Sequence, residues 1–157
     1  MNMYVGKLTE ELAKKLCEWE YEGEYSVYNF SPWDIVVQQN WDISNENKRK
    51  VNFRSVKDEQ ENFIGFFRIT KINQNKIELG LGLAPEYCGQ GIGKDFVSLL
   101  TRYVMEKYPN YSLYMEVRTF NYRAVKCYEK CGYIVVLKHY KNFPWGNNEY
   151  FLMKYIK

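Results

Sequence analysis

Three glycines at alternate positions, Gly89, Gly91 and Gly93, stand between an apolar run and a long amphipathic segment. The run Ile77-Glu78-Leu79-Gly80-Leu81-Gly82-Leu83 reads as a strand, and the segment 91–107 reads as a helix with Ile92, Phe96, Leu99, Leu100, Tyr103 and Val104 on its apolar side. A glycine-rich loop between a strand and a helix presents backbone N–H groups without Cβ crowding, at the positive end of the helix dipole. That is a ready phosphate site. Several loops of this kind exist, and their spacing separates them. A Walker A loop needs glycine at position 88 and Ser or Thr at 95, where this chain has Cys88 and Asp95. A dinucleotide fingerprint needs Gly-x-Gly-x-x-Gly after a first parallel strand, whereas here the spacing is Gly-x-Gly-x-Gly after an antiparallel meander. A turn that only needs positive φ angles accounts for one or two glycines but not for three in alternation.

The rest of the chain supplies the context. A short strand at 3–5 precedes a helix capped by Thr9 that runs to about residue 19, with Leu8, Leu12, Leu16 and Trp19 at helical spacing. Ser31-Pro32 reads as the cap and first position of a second helix reaching about residue 40, and the polar run 45–50 as a solvated turn. Strands follow at 51–56, 62–72 and 76–84, then the loop and its helix, and a strand at 112–117. Asn121 caps a helix running to about residue 131, with Gly132 where a C-terminal glycine belongs, and strands at 133–140 and 149–156 end the chain. The order βααβββαβαββ is that of a mixed α/β fold in one layered domain spanning 1–157.

A second motif, Asn121-Tyr122-Arg123-Ala124-Val125-Lys126-Cys127-Tyr128-Glu129-Lys130-Cys131-Gly132-Tyr133, follows in chain order. Asn121, Ala124 and Tyr128 share one helix face. Alone they would read as a cap, a small packing residue and a core aromatic. Taken with the glycine loop, they resemble the GNAT family of N-acetyltransferases. That family's cofactor loop reads Gln/Arg-x-x-Gly-x-Gly/Ala, matched here by Gly91, Ile92 and Gly93 behind Pro85-Glu86-Tyr87 and Gly89-Gln90, with Cys88 departing at the first position. Its second motif reads Asn-x-x-Ala-x-x-x-Tyr-x-x-x-Gly-Phe/Tyr. The stretch containing Trp19, Tyr21, Tyr25 and Tyr28 also resembles a bacterial subfamily.

The resemblance implies an acyl-CoA N-acyltransferase fold, a mostly antiparallel central sheet of about six to seven strands flanked by about four helices. It implies acetyl-CoA as cosubstrate, lying in a V-shaped split between the strands at 77–84 and 112–117. The diphosphate would rest on Cys88, Gly89, Gln90, Gly91, Ile92, Gly93 and Lys94, mostly through backbone N–H groups. The remaining contacts would come from Leu81, Leu83, Asn121, Ala124 and Tyr128. The acceptor is a small-molecule or peptide amine, and the family often forms homodimers.

Acetyl transfer to an amine has chemical demands that these residues could meet. A free alkylamine has a pKa near ~10.4 and must lose its proton, while the departing thiolate, of pKa about 8.5, gains from protonation. Tyr128 resembles the family's general acid for the CoA thiolate. The resemblance also implies a bulge in the fourth strand whose backbone N–H polarises the thioester carbonyl, and Leu81 is the best position for it. Alternation puts Glu78, Gly80 and Gly82 on one face, so Glu78 can serve as a base through water or be a solvent-facing strand residue. Trp19, Tyr21, Tyr25 and Tyr28 can line the acceptor cleft or be ordinary packing.

Composition narrows the partners. Aromatic residues are 18% of the chain, with 15 Tyr, and the net charge is +3. So small a charge argues against nucleic acid as a partner. No run approaches the ~20 apolar residues of a membrane span, and the N-terminal stretch lacks the apolar core of a signal peptide. Cys17, Cys88, Cys127 and Cys131 form no Cys-x-x-Cys pair and the chain has 1 His, so a reduced, cytoplasmic protein without a metal is expected. Three other readings stay open: a CoA-binding sensor without turnover, a nucleic-acid-binding protein using basic and aromatic surface residues, against which the small charge argues, and an acyl-carrying Cys127, which has no histidine placed in sequence to activate it.

Overall fold

The computed structural model describes residues 1–143 and 146–156. Its strands are β1 (Met3–Lys7), β2 (Phe53–Asp58), β3 (Phe63–Lys71), β4 (Lys76–Leu83), β5 (Ser112–Arg118), β6 (Tyr133–Phe143) and β7 (Gly146–Tyr155). Its α-helices are α1 (Glu10–Leu16), α2 (Trp33–Gln38), α3 (Glu46–Asn52), α4 (Gly93–Lys107) and α5 (Tyr122–Lys130). The strand order β1-β2-β3-β4-β5-β7-β6 makes one seven-stranded sheet. The mixed α/β fold and the sheet of about seven strands expected from the sequence are observed.

The backbone gathers into two compact units, and β3 and β4 each contribute to both. The first comprises Met1–Arg68 and Leu81–Ile92. In it β1 pairs antiparallel with β2, from Met3↔Asp58 to Lys7↔Arg54, and β2 pairs antiparallel with β3. Leu12, Ala13 and Leu16 recur at helical spacing on α1 and bury against Val36, Ile43, Phe53 and Phe66. Thr9 caps α1 by accepting from the Leu12 N–H at 3.2 Å, as expected, and the helix closes at Leu16 rather than near residue 19. Pro32 itself occupies the cap position of α2, one residue later than the sequence suggested.

The run 45–50 is a correction. It opens the helix α3 instead of forming a solvated turn, because its polar residues satisfy a helix terminus. Asn45 Oδ1 accepts from the Lys48 N–H at 3.0 Å, and Arg49 turns inward to donate to the Ile43 carbonyl at 3.0 Å.

The second unit comprises Ile69–Gly80 and Gly93–Lys157. Here β4 pairs parallel with β5 only from Lys76↔Ser112 to Glu78↔Tyr114. β5 pairs antiparallel with β7, and β7 with β6. Ile77 and Leu79 of β4, Leu113, Met115 and Val117 of β5, Met153 of β7 and Phe96, Leu100 and Val104 of α4 are buried. The alternation of β5 therefore separates an apolar row from Tyr114, Glu116 and Arg118 on the opposite face.

Candidate active site

The first unit holds the end of β4 and the loop after it. Gly82 is there for want of room: a Cβ would lie 2.8 Å from Phe66 Cε1 and 3.4 Å from Tyr21 Oη. Tyr21 lies over this strand end and donates its hydroxyl to the Leu83 carbonyl. Its own N–H donates to Asn29 Oδ1 at 2.7 Å. Burial, with Cys88 close by, pushes the Tyr21 hydroxyl above its ordinary pKa. Tyr21, Leu81 and Leu83, named from the sequence as site residues, thus share one locality. Trp19 packs at 4.9 Å from Phe63 and 6.2 Å from Phe66, among the aromatic residues that flank the core. Tyr25 and Tyr28 sit half-buried on the 3-10 turn Gly23–Tyr28.

Past Ala84, the 3-10 turn Pro85–Tyr87 carries the chain into the glycine loop. Cys88 turns its Sγ back toward the Ala84 carbonyl at 3.6 Å, and Gln90 Nε2 donates to the Glu86 carbonyl at 2.5 Å. These side chains brace the turn from within. Gly89 and Gly91 both have left-handed backbone, at φ +74° and +79°, while a Cβ at Gly91 would meet nothing within 4 Å. Two left-handed residues separated by Gln90 are the kind of turn backbone from which an anion nest is built. The loop leads directly to Gly93, the first residue of α4. This backbone fits a diphosphate.

In the second unit, Glu78 stands opposite Tyr114 at the last paired position of β4 and β5. Asn121 caps α5 as expected, accepting from the Ala124 N–H at 3.2 Å. α5 lies close to the start of α4: a Cβ at Gly93 would sit 3.4 Å from Cys127 Sγ, and Cys131 Sγ donates to the Lys94 carbonyl at 3.4 Å. A Cβ at Gly93 would thus just touch α5, whereas Gly89 and Gly91 are set apart by their left-handed backbone. Burial, then the neighbouring Cys131, raises the Cys127 thiol to about 11. A thiol so hard to ionise is a poor acyl-carrying nucleophile. Tyr128 is 9% exposed, with its ring 6.3 Å from that of Tyr133. Tyr133 in turn shares a 2.8 Å hydrogen bond with Thr101 Oγ1.

One group escaped the sequence reading. Glu116 on β5, facing His139 and Lys141 of β6, lies two residues beyond the last β4–β5 pair. Alternation in β5 could have set Glu116 apart, but its partners come from a strand joined through β7. Among the described residues no group of three or more His, Cys, Asp or Glu could hold a metal, and no helix is long and apolar enough to cross a membrane.

The sequence matches the family model described as "Acetyltransferase (GNAT) family" over residues 13–133. It is 30% identical over 81 residues to a spermidine N(1)-acetyltransferase of Vibrio cholerae, covering 50% of this chain and 47% of that one. The match thus spans about half the length of that curated relative. Among solved structures, a chimera of the Vibrio cholerae spermidine N-acetyltransferase SpeG and hSSAT superposes with a TM-score of 0.81 at 19% identity, covering 99% of this chain and 96% of that one. The Vibrio cholerae spermidine N-acetyltransferase in complex with CoA and spermine gives a TM-score of 0.71 at 18% identity, covering 97% and 94%. At these identities the superpositions speak to fold.

Proposed function

From the premise that the chain belongs to the acetyltransferase (GNAT) family, we propose that it moves an acetyl group from acetyl-CoA to a primary amine by direct attack, without a covalent enzyme intermediate. The observation that carries this reading is the pair of left-handed glycines, Gly89 and Gly91, leading straight into α4. The CoA diphosphate is negatively charged, and a left-handed glycine loop leading into the positive end of a 15-residue helix suits it. The loop 88–92 with Gly93 and Lys94 is assigned to this group. Leu81 and Leu83 of β4, with Asn121 and Ala124 of α5, complete the cofactor contacts in this reading.

The neutral amine nitrogen attacks the thioester carbonyl carbon, a C–N bond forms, and the C–S bond breaks. The backbone N–H at Leu81 is assigned to the developing oxyanion. Tyr128 is assigned to give its phenolic proton to the departing sulfur. A neutral phenol is a proton donor across physiological pH, since its ordinary pKa is about 10. Glu78 is assigned to take the amine proton through water. Tyr21, Tyr25 and Tyr28 are assigned to the acceptor side, with Trp19 behind them. The Vibrio cholerae relatives are named for spermidine, which carries primary amines, and acetylation of a primary amine is what is proposed here.

Calorimetric titration of acetyl-CoA into the wild type and Gly91→Glu tests the first step. Glutamate at a left-handed position strains the loop and sets a carboxylate against the diphosphate, so the variant should lose binding while remaining folded. A folded wild type that binds no acetyl-CoA would overturn the assignment. Thiol release across a panel of amines then reads the transfer itself.

A further inference from the structure

The face of the second unit opposite its apolar core is held by strand pairing. Arg118 stands opposite Tyr150, which stands opposite His139, and Glu116 stands opposite Leu152. Glu116 is 14% exposed in its side chain; Lys141 Nζ donates to Oε1 at 2.5 Å, and His139 Nε2 lies 2.8 Å from Oε2 without hydrogen-bond geometry. Tyr150 is the hub of this cluster. Its ring has Lys141 Nζ at 4.9 Å, Arg118 Cζ at 5.2 Å and the His139 ring at 5.9 Å. Arg118 donates to the neutral Asn148 side chain, and among the described residues it forms no ion pair. On the same face, Lys76 and Lys154 lie 5.7 Å and 5.9 Å from the Tyr114 ring.

The charge balance is one-sided. Lys76, Arg118, Lys141 and Lys154 share the face with the carboxylates Glu78 and Glu116. Glu116 already answers Lys141, whereas the guanidinium of Arg118 donates to a neutral amide oxygen, so its charge is not matched by a carboxylate among the described residues. Arg118 is half-buried, so its charge is only partly screened by water, and it sits beside the Tyr150 ring while donating to Asn148, two neighbours that restrict where it can move. A planar guanidinium held in this way matches a carboxylate through paired N–H donors. Arg118 is also four residues past Tyr114, the last β5 residue paired with β4, which puts it on the stretch of β5 that has left its parallel neighbour.

We infer that this face receives a carboxylate of the acceptor, with Arg118 as the binding residue and Tyr150 and Asn148 holding it in place, so that the acceptor is an amine that also carries a carboxylate. The inference rests on the acetyl-transfer reading, and it separates this chain's acceptor from a polyamine, which is cationic throughout. Such a substrate would meet repulsion here.

Matched acceptors that differ only by the carboxylate test it: lysine against cadaverine, and ornithine against putrescine, each with saturating acetyl-CoA. The amino acid of each pair should show kcat/KM at least tenfold higher. Arg118→Gln should erase that advantage through KM while leaving the acetyl-CoA dissociation constant unchanged. Equal or better turnover of cadaverine and putrescine would overturn the inference. So would an Arg118→Gln enzyme that keeps the discrimination, or one that loses acetyl-CoA affinity, which would assign Arg118 to a CoA phosphate. Should the wild type acetylate none of the four, acetyl transfer to such amines fails as a reading, and calorimetry on the CoA-saturated protein still decides the carboxylate question. Heat on adding lysine but not cadaverine, abolished in Arg118→Gln, supports the site, and equal silence overturns it.

Discussion

Tyr128 combines a buried ring with a hydroxyl assigned to chemistry, and the two roles can be separated by one oxygen atom. Tyr128→Phe keeps the ring that packs 6.3 Å from Tyr133 and removes only the proton donor. The expected result is a kcat about a hundredfold lower, the lower range of general acid–base contributions, with acetyl-CoA binding unchanged by calorimetry. Cys127 is the opposite case, a reactive atom type kept quiet by its surroundings. With its thiol raised to about 11, roughly one molecule in a thousand carries the thiolate at pH 8. Alkylation by iodoacetamide should therefore be about a hundredfold slower at Cys127 than at a free thiol at pH 8. It should accelerate about tenfold per pH unit up to pH 10, as read by peptide mass spectrometry. Unfolding in urea should bring the residue back to the ordinary rate. A fast reaction in the folded protein at neutral pH would contradict the burial that sets this thiol apart.

At the scale of elements, what the sequence made legible was local. The caps Thr9 and Asn121, the strand 76–84 and the loop glycines each depend on residues a few positions apart, and each stands where it was expected. Gly132, read as the glycine after a helix, has φ +97° just past Cys131, the C-cap of α5. What was illegible depended on distant partners. The run 45–50 has the composition of a solvated turn, yet Arg49 is buried and reaches the Ile43 carbonyl, so this helix is fixed by its neighbour. Arg49→Ala should cost about 1–3 kcal/mol in urea unfolding, because a buried carbonyl loses its donor. A loss within a few tenths of a kcal/mol would mean that water replaces the guanidinium. The Glu116 cluster was missed for the same reason, since β6 reaches β5 only through β7 and no motif records that pairing.

For the whole molecule, binding and folding are linked. Two sequence motifs, one ending in α4 and the other forming α5, indicated the family, and the seven-stranded sheet supplies the expected acyltransferase frame. If acetyl-CoA binds the folded chain and not the unfolded one, a concentration a hundredfold above its dissociation constant adds about 2.7 kcal/mol of stability. For a chain of 157 residues, each kcal/mol raises the midpoint of thermal unfolding by about 2–4 °C. The expected rise is therefore about 5–11 °C, growing with the logarithm of the acetyl-CoA concentration above saturation. Gly91→Glu should start from a similar midpoint, since a Cβ at position 91 meets no neighbour within 4 Å, apart from the cost of its left-handed backbone. It should then show no rise with acetyl-CoA. A wild type whose midpoint ignores acetyl-CoA at millimolar concentration would contradict the diphosphate assignment without any appeal to the acceptor. A rise that survives in Gly91→Glu would move the cofactor off this loop, since a ligand can stabilise the chain only through a state it binds.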